Sequence, residues 1–198
     1  MSRKTLRAAV MLAALVLALI ACNVIAPLID TPAMRENAWQ GAAMLCEQNA
    51  VPKMVGGFKS TQLDNFTSVL ILKTAAYTGS ESWLHKAFAG LRVEMPVPEN
   101  ADAQTAWEAF CTYSDGSEPG IGIMGYHRYW HGYMLPLRLL LCALNLANIQ
   151  MLLYFVQMAL LVLTILLMVR RGLGAVVPAF FTAYFLMMPF VLGTCLQY

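Results

Sequence analysis

Charge is what this sequence has least of. Of its 198 residues only 12% are Asp, Glu, Lys or Arg, while 59% are apolar. An ordinary soluble domain carries about 25% charged residues. The shortage excludes a disordered chain, a coiled coil and an ordinary cytosolic enzyme. Thirteen bases against eleven acids leave a net charge of +2, which excludes a protein held to nucleic acid by its charge. Acids are missing from both ends, with none before Asp30 and none after Glu118. There is no phosphate-cradling glycine loop, dinucleotide fingerprint or nucleophile elbow. Internal repeats and low-complexity segments are also absent. The five cysteines follow no metal-ligand spacing. Cys22, Cys142 and Cys195 fall in apolar segments. Cys46 and Cys111 share the polar middle of the chain and could pair, though no spacing argument requires it.

What the chain does have is long apolar runs. Ala8–Ile29 is 22 residues without a charge. At about 1.5 Å per residue it spans roughly 33 Å, enough for a hydrocarbon core of about 30 Å. Arg3, Lys4 and Arg7 precede it, and basic residues are retained on the cytoplasmic side. Residues 1–7 are therefore expected inside, residues 8–29 as a first transmembrane helix, and Asp30 outside. A competing reading is a lipoprotein signal, because Leu19-Ile20-Ala21-Cys22 fits a permissive lipobox that would leave a lipid-anchored Cys22. The apolar run continues past Cys22, and more spans follow, which favours an uncleaved helix.

Residues 30–133 form the polar stretch, with all eleven acids, seven bases and a net charge of −4. Its patterning predicts helices over about Met34–Gln48, Asn65–Tyr77 and Ser80–Leu91. Asp64 or Asn65 is placed to cap the second of these. The stretches Met95–Gln104 and Ser114–Gly122 read as loops. From Met134 the chain is apolar again. Residues 134–147 are expected as an interfacial helix and 149–169 as a second span. A cytoplasmic turn follows at 170–174, with a third span at 175–196. Arg170 and Arg171 then agree with the N-terminal bases on one orientation. The expectation is an all-α integral membrane protein with about three transmembrane helices and a helical extracytoplasmic loop domain. Three helices are few for so many polar groups. Further transmembrane helices or a partner subunit are therefore expected, with this chain as the N-terminal part of a larger protein.

Chemistry-bearing residues lie on the expected outer face. Between Gly125 and Tyr133 stand His127, Arg128, Trp130 and His131 with three tyrosines. Arg pairs with phosphate, His transfers protons near neutral pH, and the rings can hold a sugar or a lipid-linked headgroup. The plainer reading is an aromatic belt at the membrane interface. His127 and His131 share a helical face, but no third ligand accompanies them, so no metal site is assigned. No cofactor is indicated either. Arg138, flanked by apolar residues, is either functional or snorkels to the headgroups. Gln150 and Gln157 fit interhelical hydrogen bonding. Asp30, just past the first helix, and Glu36 are candidate general bases, and Asp64 is a third. The plain alternatives are a polar stop for Asp30 and helix capping for Asp64. Asn65-Phe66-Thr67 matches a glycosylation sequon, a triplet common by chance.

Arg35–Gln48, Leu63-Asp64-Asn65-Phe66-Thr67, Tyr126–Tyr133 and Leu137-Arg138 resemble a family of uncharacterised multi-pass membrane proteins of gut-type Gram-positive bacteria. That family's pattern is close to DNFTD, then RYWHGY followed by LRPLL. Here Ser68 replaces the second acid, and Leu139 stands where the proline is usual. The family is longer, so the resemblance implies a match to its N-terminal part, and it implies no activity. The layout is also similar to GT-C-type glycosyltransferases, which transfer sugars from lipid-phosphate donors. That similarity implies Asp30 or Glu36 as base, and His127, Arg128, His131 and Arg138 around the phosphate of a lipid-linked substrate. The adjacent acid pair usual in those enzymes is absent.

Overall fold

A computed structural model describes residues 3–77, 79–94, 102–112, 122–125 and 132–196. The chain is predominantly helical, and a single two-stranded ladder is the exception among the described residues.

Helix α1 (Arg3–Ile25) runs unbroken and closes with a 3-10 turn at Ala26–Leu28. Helix α7 (Leu146–Arg170) is the second long helix. The apolar stretch of the first, Thr5–Leu28, has mean hydropathy 2.7, and α7 has 2.6. Both are long and apolar enough to cross a membrane. Their apolar side chains also face outward: Met11, Leu12 and Leu17 on α1 and Phe155, Leu160 and Val162 on α7 are exposed. Helices that are apolar all round need either a protein core or lipid, and these have little protein around them.

Between them the chain folds on itself. Helix α2 (Pro32–Cys46) starts at Pro32, after Thr31 caps it by accepting from Met34 N at 3.2 Å. Helix α3 (Asn65–Ala76) packs along α2 and supplies much of the core through Val69, Leu72 and Ala75. Asp64 caps α3, as its position suggested, accepting from Thr67 N at 2.9 Å and from the Thr67 hydroxyl at 2.7 Å. Helix α4 (Trp83–Phe88) follows Ser82, its N-cap. It is shorter than the expected Ser80–Leu91, because Leu91 instead opens strand β1 (Leu91–Glu94). This strand pairs antiparallel with β2 (Gly122–Gly125), with Leu91 opposite Gly125.

Helix α5 (Ala103–Thr112) begins inside a stretch expected to be loop. The physical reason is a cap that the prolines before it obscure: Asp102 accepts from Thr105 N at 2.7 Å. The helix turns Trp107 and Phe110 into the core, and the Cys46–Cys111 disulfide joins it to the end of α2. Helix α6 (Met134–Leu141) contributes Leu137 and Leu141 to the same core. Asn145 then caps α7.

The third apolar segment differs from expectation. Residues 175–196 do not form one helix. A 3-10 turn at Gly174–Val176 leads to α8 (Val177–Leu186), then a break, then α9 (Pro189–Thr194). Pro189 has no N–H to give a helix, and its ring disfavours a right-handed helical residue before it. Met188, the residue before it, takes a left-handed conformation at φ 52°, which breaks the helix there. The α8–α9 pair still returns along α7. Tyr154 stacks on Phe190 at 5.7 Å, and Gln150 donates to the Thr194 carbonyl at 2.8 Å, an interhelical bond of the kind its position suggested. Leu196 ends against the core that α7 leaves.

Candidate functional site at the C-terminal end of the first helix

The last turn of α1 meets α3, α4, β1 and α6, and a cavity of about 50 Å³ lies where they converge. Among its described lining residues three are basic, Lys86, Arg92 and Arg138, and none is acidic. Asn23, Thr74 and Tyr77 add polar groups.

Local structure explains how each cation arrives. Arg138 is carried in by α6 and is 8% exposed. Its Nη1 donates to the carbonyls of Ala26 at 2.9 Å and Ile29 at 3.3 Å where α1 ends, and the Ala26 carbonyl also accepts from Ile29 N at 3.2 Å. A cation there also suits the helix dipole. Its Nε is buried without a hydrogen-bond partner. Burial lowers the Arg138 pKa, and the charge of Asp30 opposes that shift. Snorkelling to solvent is therefore not its conformation. Lys86, on α4, donates to the Gly79 carbonyl at 2.7 Å and lies 5.5 Å from the Tyr77 ring. Arg92 alternates with buried Val93 on β1, whose backbone reaches Thr74 Oγ1 at 3.5 Å. Tyr77 completes the wall. Its hydroxyl donates to Glu81, and burial, with Glu81 adding to it, pushes its pKa up to about 12.

The carboxylates singled out by sequence are occupied differently. Asp30 pairs with Arg35 Nε at 3.4 Å, partly exposed, within electrostatic reach of Arg138. Glu36 is exposed and accepts from Gln40 one turn on, at 2.6 Å. Asp64 is committed to its cap, and it lines a separate groove with Phe66 and Trp107, so the fold does not bring it to the cavity. His127, Arg128, Trp130 and His131 lie outside the described residues. Asn65 is buried and hydrogen-bonded to Gln48 and to the Asn49 carbonyl, which makes it a structural residue rather than an exposed acceptor for sugar. Cys22 is half-buried within continuous α1.

Lys86, Arg92 and Asn23 were not read as site residues from the sequence. Only their convergence marks them, and no local spacing signals it. Lys73 is another buried cation with a different task. Its Nζ donates to the Phe110 carbonyl and lies 4.8 Å from the Phe110 ring, joining α3 to α5. Among the described residues no group of three or more His, Cys, Asp or Glu could hold a metal ion. No family model, curated protein or solved structure matches this chain.

Proposed function

We propose that the chain is a multi-pass membrane protein of the DNFT and RYWHGY kind, with its folded domain as an outer-face binding module. The observation that carries this reading is the seating of two exposed apolar helices in one disulfide-bonded domain. The end of α1 is held by Arg138, and the start of α7 by the buried Leu146 and Ile149. A disulfide is at home in an oxidising compartment, which supports placing the domain outside. The basic clusters at Arg3–Arg7 and Arg170-Arg171 support the same orientation. The converging polar groups at the end of α1 would then lie at headgroup level.

Labelling with a membrane-impermeant thiol reagent tests the orientation. In a background with Cys22, Cys142 and Cys195 replaced by serine, Ser117→Cys should react from outside and Gly172→Cys should not. The reverse pattern overturns the reading.

A second reading draws on Arg138, which lies both in the field of Asp30 and in the cavity wall. It is a GT-C-like transferase in which Asp30 or Glu36 takes the proton of an acceptor hydroxyl while nearby cations hold the donor phosphate. Transfer from a lipid-linked sugar should fall steeply in Asp30→Asn or Glu36→Gln. Unchanged transfer in both variants removes the assignment.

A further inference from the structure

We propose that the loop between α2 and α3 is a membrane seat. Its apolar tip enters the outer-leaflet interface, and Lys53 and Lys59 meet the lipid phosphates there. This rests on the outer-face reading and names the surface on which the domain sits.

The loop is hydrogen-bonded into one shape. Its base is closed by Leu63 N donating to the Pro52 carbonyl at 2.7 Å and Asn65 N donating to the Ala50 carbonyl at 2.9 Å. Within it the buried Thr61 hydroxyl accepts from Val55 N at 3.1 Å and donates to the Phe58 carbonyl at 2.8 Å. Gly57 turns the tip at φ 85°. A loop held this way would ordinarily show water its polar side chains. Instead Val51, Met54, Val55 and Phe58 are exposed, Phe58 by 62%. An apolar patch on an ordered loop marks a surface that something covers.

Position and charge make lipid the cover. The residues that end the loop touch the last turn of the broken apolar segment. Ser68 Oγ accepts from Leu196 N at 3.4 Å, and the Cys195 thiol lies against the Asp64 backbone. Gln150 holds the neighbouring Thr194 to α7, so the loop starts where the exposed apolar surface of α7 and α9 stops. No acid stands between Glu47 and Asp64, and Lys53 and Lys59, both exposed, carry the loop's charge. An apolar tip flanked by lysines suits the boundary between acyl chains and anionic headgroups. The carbon side chains enter the chains while the ammonium groups stay with the phosphates. A second patch supports the same level. Helix α4 packs against the last turn of α1 and leaves Trp83, Leu84 and Phe88 exposed. Tryptophan collects at membrane interfaces. Apolar side chains thus stand exposed beside the outer ends of both α1 and α9.

The test uses the full chain, with Cys22, Cys142 and Cys195 replaced by serine, in phosphatidylcholine liposomes containing phosphatidylglycerol. Val55→Cys carries an environment-sensitive NBD fluorophore, and Gln104→Cys, at an exposed position of α5, carries it as the reference. The label at 55 should emit as in an apolar medium, be quenched by spin-labelled lipid and resist aqueous iodide. The label at 104 should show the opposite pattern. Phe58→Asp should move the label at 55 into water. Lys53→Gln with Lys59→Gln should cut its lipid quenching by roughly half or more. A label at 55 reached by iodide and not by lipid overturns the proposal and leaves the patch to a protein partner, with the orientation from thiol labelling still standing. Equal lipid quenching at 55 and 104, or a signal unmoved by both Phe58→Asp and the lysine variant, also overturns it. Lipid quenching at 55 with reversed thiol labelling would keep the loop in lipid and overturn the orientation alone.

Discussion

Arg138 Nη1 donates to the Ala26 carbonyl at 2.9 Å, across 112 positions of sequence. The contact fastens α6 to the end of α1 with one charged hydrogen bond and a weaker second at Ile29. Breaking it leaves the buried Ala26 carbonyl with only its bond from Ile29 N, and bonds to charged groups contribute about 1.5–3 kcal/mol each. Arg138→Gln should therefore lower the unfolding free energy of the detergent-solubilised chain by about that much. Arg138→Lys should recover part of it. Denaturant unfolding followed by tryptophan fluorescence checks this, and equal midpoints for all three proteins would remove the clamp.

The Cys46–Cys111 disulfide closes a loop of 65 residues with its Cα atoms 5.5 Å apart. Such a link contributes about 2–4 kcal/mol, mainly by restricting the unfolded chain. Thiol titration under denaturing conditions should count three cysteines before reduction, Cys22, Cys142 and Cys195, and five after it. Cys46→Ser with Cys111→Ser should match the reduced protein in stability. A count of five before reduction would contradict the pairing.

Much of this architecture was legible locally, and the parts that were not depend on distant partners. The existence of α1 and α7 follows from unbroken apolar runs, though each starts a few residues before its expected span, and the Asp64 cap follows from a carboxylate three residues before Thr67. Helix α5 was hidden because Pro96 and Pro98 give their surroundings the look of a loop, although Asp102 carried a cap signal. Strand β1 is four residues long and is settled by pairing with β2 some thirty positions later, which no window of sequence contains. The cavity failed to show for the same reason. Lys86 and Arg92 are ordinary surface-type residues until topology gathers them beside Arg138, whereas Arg138, Asp30 and Glu36 drew attention by their place in the chain.

Tyr77 predicts a loss of stability at alkaline pH. Its folded pKa, about 12, lies above the ordinary value of 10.0, first because of burial and then because of Glu81. A phenol shifted upward stabilises the fold fully below the unfolded value and loses that contribution as pH rises through the folded one. Stability should thus decline between pH 10 and about 12. Tyr77→Phe should flatten part of that decline while leaving the neutral-pH midpoint lower by the lost Glu81 bond. Unfolding curves across that range, beside phenolate absorbance, decide it. A Tyr77→Phe profile parallel to wild type would show that Tyr77 does not titrate late.

Gly41 marks where the folded domain meets the second long helix. A Cβ placed there would lie 2.9 Å from Leu146 Cβ and 3.3 Å from Leu72 Cδ1. Leu72 is flexible at its end and can yield. Leu146 Cβ is fixed to the backbone at the first turn of α7, so relief there requires α2 and α7 to separate. Two effects compete in Gly41→Ala. Helix propensity favours alanine by about 0.8–1 kcal/mol, and overpacking a tight seam costs about 1–3 kcal/mol. The fixed contact tips the balance toward destabilisation. Gly41→Val adds a second branch to the same seam and should be clearly worse, unfolding at lower denaturant than Gly41→Ala. Gly56→Ala is the control, because nothing lies within 4 Å of its Cβ position. If Gly41→Val were as stable as Gly56→Ala, α2 and α7 would not be in the close contact that joins the domain to the span.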